Sequence, residues 1–311
     1  MIKSKKIFIT GGAGYLGSNI VDRFYKNNDI TIFSRDEAKH YFLKKKYPNI
    51  NCIIGDVRNL NLLDKSSKNH DIGIFTASLK QIGAVDSNIS ESNQIIIQGA
   101  LNSREVSENN LESACFISSD KSRSATTIYG AMKFVAGESF IVNSDKVDGP
   151  NLSTAIYGNV INSTGSIIPL IWDAIKNNYE LTLYSESMTR FILFIDQAVD
   201  LVEFALTKDG YNVIPKPISI KIKDLFEIYE DKFGLKYKIG LPRISEKIHE
   251  ILTSKEESTR ITMEKDYYLM HYEKTSDPNI LGGRELSSKN NFISKSSLMD
   301  LLSQYNYYKP Y

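Results

Sequence analysis

Residues 6–17 read KIFITGGAGYLG. A short β-branched and aromatic run from Lys6 to Thr10 gives way to glycines at positions 11, 12, 14 and 17. Leu16, Ile20, Val21 and Phe24 then recur at helical spacing, and DITIFSR at residues 29–35 restores a strand. Strand, glycine turn, helix and strand within about 35 residues make a βαβ unit, whose crossover is right-handed. Gly11, Gly14 and Gly17 form G-x-x-G-x-x-G, and Gly12, Gly14 and Gly17 also fit G-x-G-x-x-G. The chemistry needs glycines there because the turn is tight, a phosphate approaches the backbone, and the helix packs closely on the sheet. The free N–H groups and positive dipole end of the helix then favour a pyrophosphate. Many glycine runs are plain turns. This one follows a strand and opens a helix, which is the context of a dinucleotide site.

Further strand candidates follow at INCIIGD (50–56), DIGIFTA (71–77), SACFISS (113–119) and LSTAIYG (152–158), with helical stretches between them. That alternation predicts an α/β fold, a doubly wound parallel sheet of the Rossmann kind. Beyond about residue 160 the pattern loosens into shorter, mixed elements. Helices are expected over 166–178 (with Pro169 near the start), 197–207 and 222–234, whereas from Ser254 onward the chain is polar, tyrosine-rich and weakly periodic. The expected division is 1–160 for a cofactor-binding domain and 161–311 mainly for a smaller mixed substrate lobe, some segments of which return to the first domain.

Composition narrows the function classes. Lys plus Arg is 38 against Asp plus Glu 37 in 311 residues, a balance that points to neither nucleic acid nor a membrane surface as partner. No run approaches the roughly 18 apolar residues of a bilayer span. The N-terminal MIKSKK leads into a strand rather than a secretory apolar region, so the protein reads as cytoplasmic. Cys52 and Cys115 lie in apolar strand-like runs and read as buried thiols, with neither a disulfide framework nor a metal site. The N-x-S/T triplets at Asn88, Asn151 and Asn162 are then chance matches.

The second strand ends in Ser34, Arg35, Asp36 and Glu37. An acid at that tip would take the ribose 2′-hydroxyl of NAD, whereas a Ser34-Arg35 pair suits the 2′-phosphate of NADP. The plainer alternative is a solvated arginine followed by helix-capping acids. Asp56, at the end of the third strand, either accepts the adenine amino group or forms a turn.

Residues 118–134, SSDKSRSATTIYGAMKF, gather two amines, a carboxylate and a phenol in one stretch. Tyr129 and Lys133 could be a simple i,i+4 pair on a helix face. In a doubly wound sheet, however, the end of SACFISS points into the crevice beside the cofactor. Y-x-x-x-K then sets a phenol and an ammonium on one helix face, where the cation lowers the phenol pKa towards use as a base. Ser119 completes a group that holds a reacting alcohol.

The sequence resembles the extended short-chain dehydrogenase/reductases, and within them the UDP-N-acetylglucosamine 4,6-dehydratases of bacterial surface-sugar synthesis, some of which invert C5. The resemblance runs through TGGAGYLG, FSRDE, GDVRN, ASLK, SSDK, YGAMK, YGNV, TGSIIP, MTRF and RISEKIHE in shared order. It implies a reaction that does not consume the cofactor. Tyr129 takes the sugar 4-hydroxyl proton while hydride passes to NADP, Lys121 removes the acidified C5 proton, Asp120 assists loss of the 6-hydroxyl as water, and the hydride returns to C6. For Lys121 to act so, enclosure and Lys133 are expected to lower its pKa against the pull of Asp120. The resemblance also implies that Tyr15, Leu16, Val57 and Ala77 line the cofactor. It puts Lys80 near the sugar, Asn159 near the hexose diphosphate, and Arg190, Arg243 and Glu246 around the nucleotide. A UDP-sugar is the implied substrate and a homo-oligomer the expected assembly.

Departures fall on what the resemblance implies is the substrate side. Phe75 stands in place of a histidine, Ile96 in place of an asparagine and Ile156 in place of an arginine, and QIGAVDSNIS (81–90) replaces a proline-flanked segment. Two other classes of function fit the cofactor motif. A sugar-nucleotide 4-epimerase would use Tyr129 and Lys133 without needing Asp120 and Lys121. A non-catalytic NADP-binding sensor, or a structural subunit, would need neither pair.

Overall fold

The structure is a computed structural model describing residues 2–144, 148–242, 244–274, 280–290 and 292–309. Six parallel strands follow one another as β1 (Lys6–Thr10), β2 (Asp29–Ser34), β3 (Asn51–Ile54), β4 (Ile72–Phe75), β5 (Ser113–Ile117) and β6 (Asn151–Ala155). They lie side by side in the order β3-β2-β1-β4-β5-β6, so the strand order reverses between β1 and β4. A crevice opens outside the carboxyl ends of strands at such a reversal. Among the described residues the sheet has nine strands. Tyr211–Pro215 joins β6 in parallel, and the hairpin of Ile261–Glu264 and Tyr267–His271 closes that edge antiparallel.

Alternation along each strand sends side chains to two separate cores. From β1, Ile7 and Ile9 join Ile20, Val21 and Phe24 of the helix Tyr15–Phe24 and Val202 of the helix Ile195–Ala205. Phe8 points the other way, into a cluster with Phe33, Phe75, Phe116, Phe140 and Val106. With both faces covered, β1 and β4 bury nearly every residue, as parallel strands must. Cys115 is buried in β5, but Cys52 is only half-buried, because β3 is the edge strand of the sheet.

A second core forms around the helices Ile167–Asn177, Ile222–Phe233 and Lys295–Gln304, through Ile168, Trp172, Phe226, Tyr229 and Leu298. A three-stranded sheet of Ile218–Lys221, Thr189–Leu193 and Asn159–Val160 lies beside it. The loop 244–250 and strand Ile251–Thr253 come down from this side onto the 3₁₀ turn Asp120–Ser122, which follows β5.

Candidate active site

The carboxyl ends of the six parallel strands converge on one cleft of about 840 Å³. Its wall takes Gly11, Gly14, Tyr15 and Leu16 after β1, Ser34 and Arg35 at β2, and Asp56 and Val57 after β3. Ala77 and Lys80 follow from β4, Ser119 and Lys121 from β5, and Asn159 from beyond β6. Tyr129 and Lys133 reach the same space from the helix Ile128–Ile141. Gly17 lies under the cleft: a Cβ there would stand 2.5 Å from the Gly11 carbonyl oxygen and 2.6 Å from Gly12 Cα. Asp120 is fully buried behind Ser119 and Lys121. Arg190 and Glu246 bond each other at 2.6 Å at the far side of Lys121, and neither lines the main cleft. Arg243 lies outside the described residues.

The glycine turn fits a dinucleotide. Gly11 holds φ +67°, a conformation that glycine adopts without strain, and its amide donates to the Phe33 carbonyl at 2.8 Å. Gly14 begins the helix with no side chain capping its first N–H groups, and the space beside it is open except for Gly11 O at 3.1 Å. Donors of this kind suit an anion. Ser118 Oγ, Asn159 Oδ1 and Ser166 Oγ are buried in residues lining the cleft and have no hydrogen-bond partner among the described residues, so the pocket is built for a polar ligand.

At the end of the cleft beside β2 and β3, the Arg35 side chain is 58% exposed and its guanidinium stands 3.7 Å from Asp56. Lys39 lines the same corner, and Ser34 Oγ shares a 2.6 Å hydrogen bond with His40 Nε2. Asp56 is already engaged by Arg58, at 3.0 and 2.7 Å, which together with Arg35 holds its carboxyl below the usual range.

At the other end, Ser119 caps the turn Asp120–Ser122, its Oγ accepting from the Lys121 amide at 3.3 Å and donating to Asp120 Oδ1 at 2.9 Å. Lys121 Nζ donates to Asp120 Oδ1 at 3.1 Å and stands 3.5 Å from Glu250 Oε1. Lys133 Nζ donates to the Ile117 carbonyl at 2.6 Å, over the Phe116 ring. Thr127 caps the helix by accepting from the Gly130 amide at 3.1 Å, which fixes where Tyr129 and Lys133 emerge. Lys80 Nζ donates to the Thr164 carbonyl across the cleft.

The electrostatics differ from the expectation. Burial pushes the Tyr129 phenol up to about 12, and Lys121, not Lys133, is the cation that pulls it back. Burial lowers Lys133 to about 7, because the partner of its amine there is an uncharged carbonyl. Burial works to lower Lys121 as well, but the facing carboxylates of Asp120 and Glu250 outweigh it and hold the ammonium above the ordinary lysine value. Asp120 is raised, by burial first and with the charge of Glu250 adding to it.

The sequence departures also land elsewhere than expected. Phe75, Ile96 and Ile156 are buried in the core, and none lines the cleft. The replaced segment 81–90 does alter a wall, through Gln81 in the main cleft and Ile82, Gly83 and Asp86 in an adjoining cavity of about 190 Å³. Lys121 lines both spaces. Sequence reasoning missed Thr76 and Tyr157 in the cleft wall and Glu250 and Lys247 beside Lys121. Glu250 ends RISEKIHE, one of the stretches that carry the family resemblance, but the resemblance gave it no role at the site; its place directly before the apolar ILT hints at burial.

The family described as polysaccharide biosynthesis protein matches residues 7–272. A UDP-N-acetylglucosamine 4,6-dehydratase (inverting) of Campylobacter jejuni is 31% identical, over 97% of this chain and 98% of its own. A UDP-glucose 4-epimerase of Rickettsia massiliae is 30% identical, over 98% of this chain and 91% of its own. The solved structure of Pen from Bacillus thuringiensis superposes with a TM-score of 0.88 at 26% identity, covering 98% of this chain and 99% of that one.

Proposed function

The chain belongs to the polysaccharide biosynthesis family, among the extended short-chain dehydrogenase/reductases, and from that premise we propose that it is an NADP-dependent nucleotide-sugar 4,6-dehydratase. The proposed substrate is UDP-N-acetylglucosamine or a related UDP-sugar, and the product a 4-keto-6-deoxy sugar for surface polysaccharide. The observation that carries this reading is the Asp120–Lys121 pair, hydrogen-bonded at 3.1 Å, with Lys121 in the same cleft wall as Tyr129 and Asp120 buried directly behind it. Oxidation and reduction at C4 alone need no such pair; removing a C5 proton and a 6-hydroxyl does.

In this reading residues 1–160 hold the cofactor, with Gly11, Gly14, Tyr15 and Leu16 at the pyrophosphate, Ser34 and Arg35 at the 2′-phosphate, and Asp56, Val57 and Ala77 along the adenosine. Bound there, the nicotinamide supplies the hydride chemistry, accepting hydride from C4 and returning it at C6, which leaves C4 as the ketone and the cofactor unchanged overall. Tyr129 takes the 4-hydroxyl proton as the phenolate, the form that the Lys121 ammonium favours against burial, with Ser119 holding the oxygen, and Lys133 orients the cofactor end of the site. The Lys121–Asp120 hydrogen bond supplies base and acid together. Passing one proton from Lys121 to Asp120 leaves a neutral amine for C5–H and a neutral acid for the departing 6-hydroxyl. The raised Asp120 favours that transfer, while the carboxylates of Asp120 and Glu250, which hold the Lys121 ammonium above the ordinary lysine value, oppose it. Lys80 and Asn159 hold the hexose diphosphate, and residues 161–311 supply the nucleotide contacts through Arg190, Arg243 and Glu246. Arg190 and Glu246 must part from each other to do so.

Incubation of the protein with UDP-N-acetylglucosamine and NADP⁺, followed by mass spectrometry of the nucleotide sugar, tests the reading. Loss of one water is the expected result, and a product of unchanged mass overturns it. A UDP-sugar 4-epimerase is the second reading, favoured by the epimerase relative that matches almost the whole chain.

A further inference from the structure

Glu250 is 4% exposed, and its backbone is clamped on both sides by Ser288. The Glu250 amide donates to Ser288 Oγ at 2.8 Å, and the Ser288 amide donates to the Glu250 carbonyl at 2.8 Å. The clamp fixes the backbone from which the buried side chain extends. Three cations surround it: Lys121 Nζ at 3.5 Å, Lys247 Nζ at 3.7 Å and Arg190 Nε at 3.9 Å. Two of these are spoken for. Arg190 donates to Glu246 at 2.6 Å and to two carbonyls, and Lys247 donates to the Arg123 carbonyl at 2.6 Å. Lys121 is the one that lines the main cleft, and its hydrogen bond runs to Asp120, the carboxylate buried behind the cleft wall. Glu250 Oε2 and Asp120 Oδ2 are both buried without a hydrogen-bond partner among the described residues.

We propose that Glu250 is a positioning residue of this site, a counter-charge carried in from the loop 244–250 that holds Lys121 beside Asp120 and sets the pH at which the amine becomes free to act as a base. The proposal rests on the reading of Lys121 as the carbon base. The groups facing Lys121 are Asp120 and Tyr129 from its own side and Arg190, Lys247 and Glu250 from the other lobe, with Asp86 and Glu246 further round the smaller cavity. Of the carboxylates among the described residues, only Asp120 and Glu250 come within 4 Å of the lysine nitrogen. Removing one of two negative charges from an enclosed ammonium favours its neutral form. Burial opposes the charge on Glu250 itself, but the three cations, Lys121 foremost, outweigh it and hold the carboxyl below the ordinary range.

The test reads Lys121 directly. Reductive methylation with formaldehyde and cyanoborohydride, at low conversion across a pH series, is followed by mass spectrometry of the peptide containing Lys121. In Glu250→Gln the midpoint for Lys121 is expected to fall by about 1 pH unit or more relative to wild type. Glu250→Asp, which keeps the charge but withdraws it by one methylene, is expected to lie between the two and remains informative if the glutamine variant does not fold. Solvent deuterium incorporation at C5 of the sugar is measured on the wild type in parallel. A shifted midpoint with no deuterium at C5 supports Glu250 as the counter-charge of Lys121 but overturns the dehydratase reading and, with it, the part of the proposal that concerns base action. Deuterium at C5 with midpoints unmoved in the variants overturns the role of Glu250 and leaves the dehydratase reading standing.

Discussion

Arg35→Ala removes a half-exposed guanidinium whose nearest acid, Asp56, is already satisfied by Arg58, so the fold loses little. What it loses is a planar fork for the 2′-phosphate, and such charge-assisted bonds are worth roughly 1.5–3 kcal/mol. NADP binding should therefore weaken by one to two orders of magnitude in a fluorescence titration while NAD binding stays nearly unchanged; equal losses for both would remove Arg35 from the selection of cofactor. Lys133 gives a different signature. Its folded value near 7 lies below the ordinary 10.5, so between those pH values the unfolded chain binds more protons and stability rises with pH. Lys133→Met should abolish that rise in denaturant melts of the cofactor-free protein. An unchanged pH dependence would mean that the buried amine stays charged. The lowered value of Lys133 was not legible in the sequence. Y-x-x-x-K shows that a phenol and an amine share a helix face, but not that Phe116 and a carbonyl are the surroundings of the amine.

At the scale of elements, the glycine turn separates folding from binding. Gly17→Ala would drive a methyl group to within 2.5 Å of the Gly11 carbonyl and 2.6 Å of Gly12 Cα, backbone atoms that cannot step aside. A loss of about 1–3 kcal/mol is expected, read as a lowered denaturant midpoint. Gly14→Ala meets only Gly11 O at 3.1 Å, so it should fold nearly as well and yet lose dinucleotide affinity, since its methyl group occupies the phosphate approach. Identical stability for the two variants would contradict this division. The strands β1 to β6 were legible because a sheet covered on both faces writes itself as short apolar runs. The antiparallel edge was not. Ile261–Glu264 and Tyr267–His271 join through Lys265 and Asp266, and Lys265 takes φ +55° with no glycine or asparagine to announce the turn. The helix Lys295–Gln304 was missed too, because it buries only Leu298 and Leu302 in an otherwise polar stretch.

Across the whole molecule, the site is assembled from both sides of the cleft. The parallel strand ends place the cofactor turn, Asp120, Lys121 and Tyr129, and these residue types are legible in the amino-acid order alone. Their charge environment is not, since Glu250 reaches Lys121, with Arg190 and Lys247 beside Glu250, only through the packing of Thr189–Leu193 and the loop 244–250 near the turn after β5. Buried Arg123 fastens that junction, pairing with Glu138 at 2.7 Å and Glu257 at 2.6 Å while its carbonyl accepts from Lys247. The dehydratase reading turns on one atom, the hydrogen at C5. With UDP-N-acetylglucosamine and NADP⁺ in heavy water, NMR of the wild-type product is expected to show a 4-keto-6-deoxy sugar carrying solvent deuterium at C5, and Lys121→Ala is expected to abolish that incorporation while still binding NADP. A C4 epimer with its C5 hydrogen intact, or deuterium entering C5 at the wild-type rate in Lys121→Ala, would contradict it.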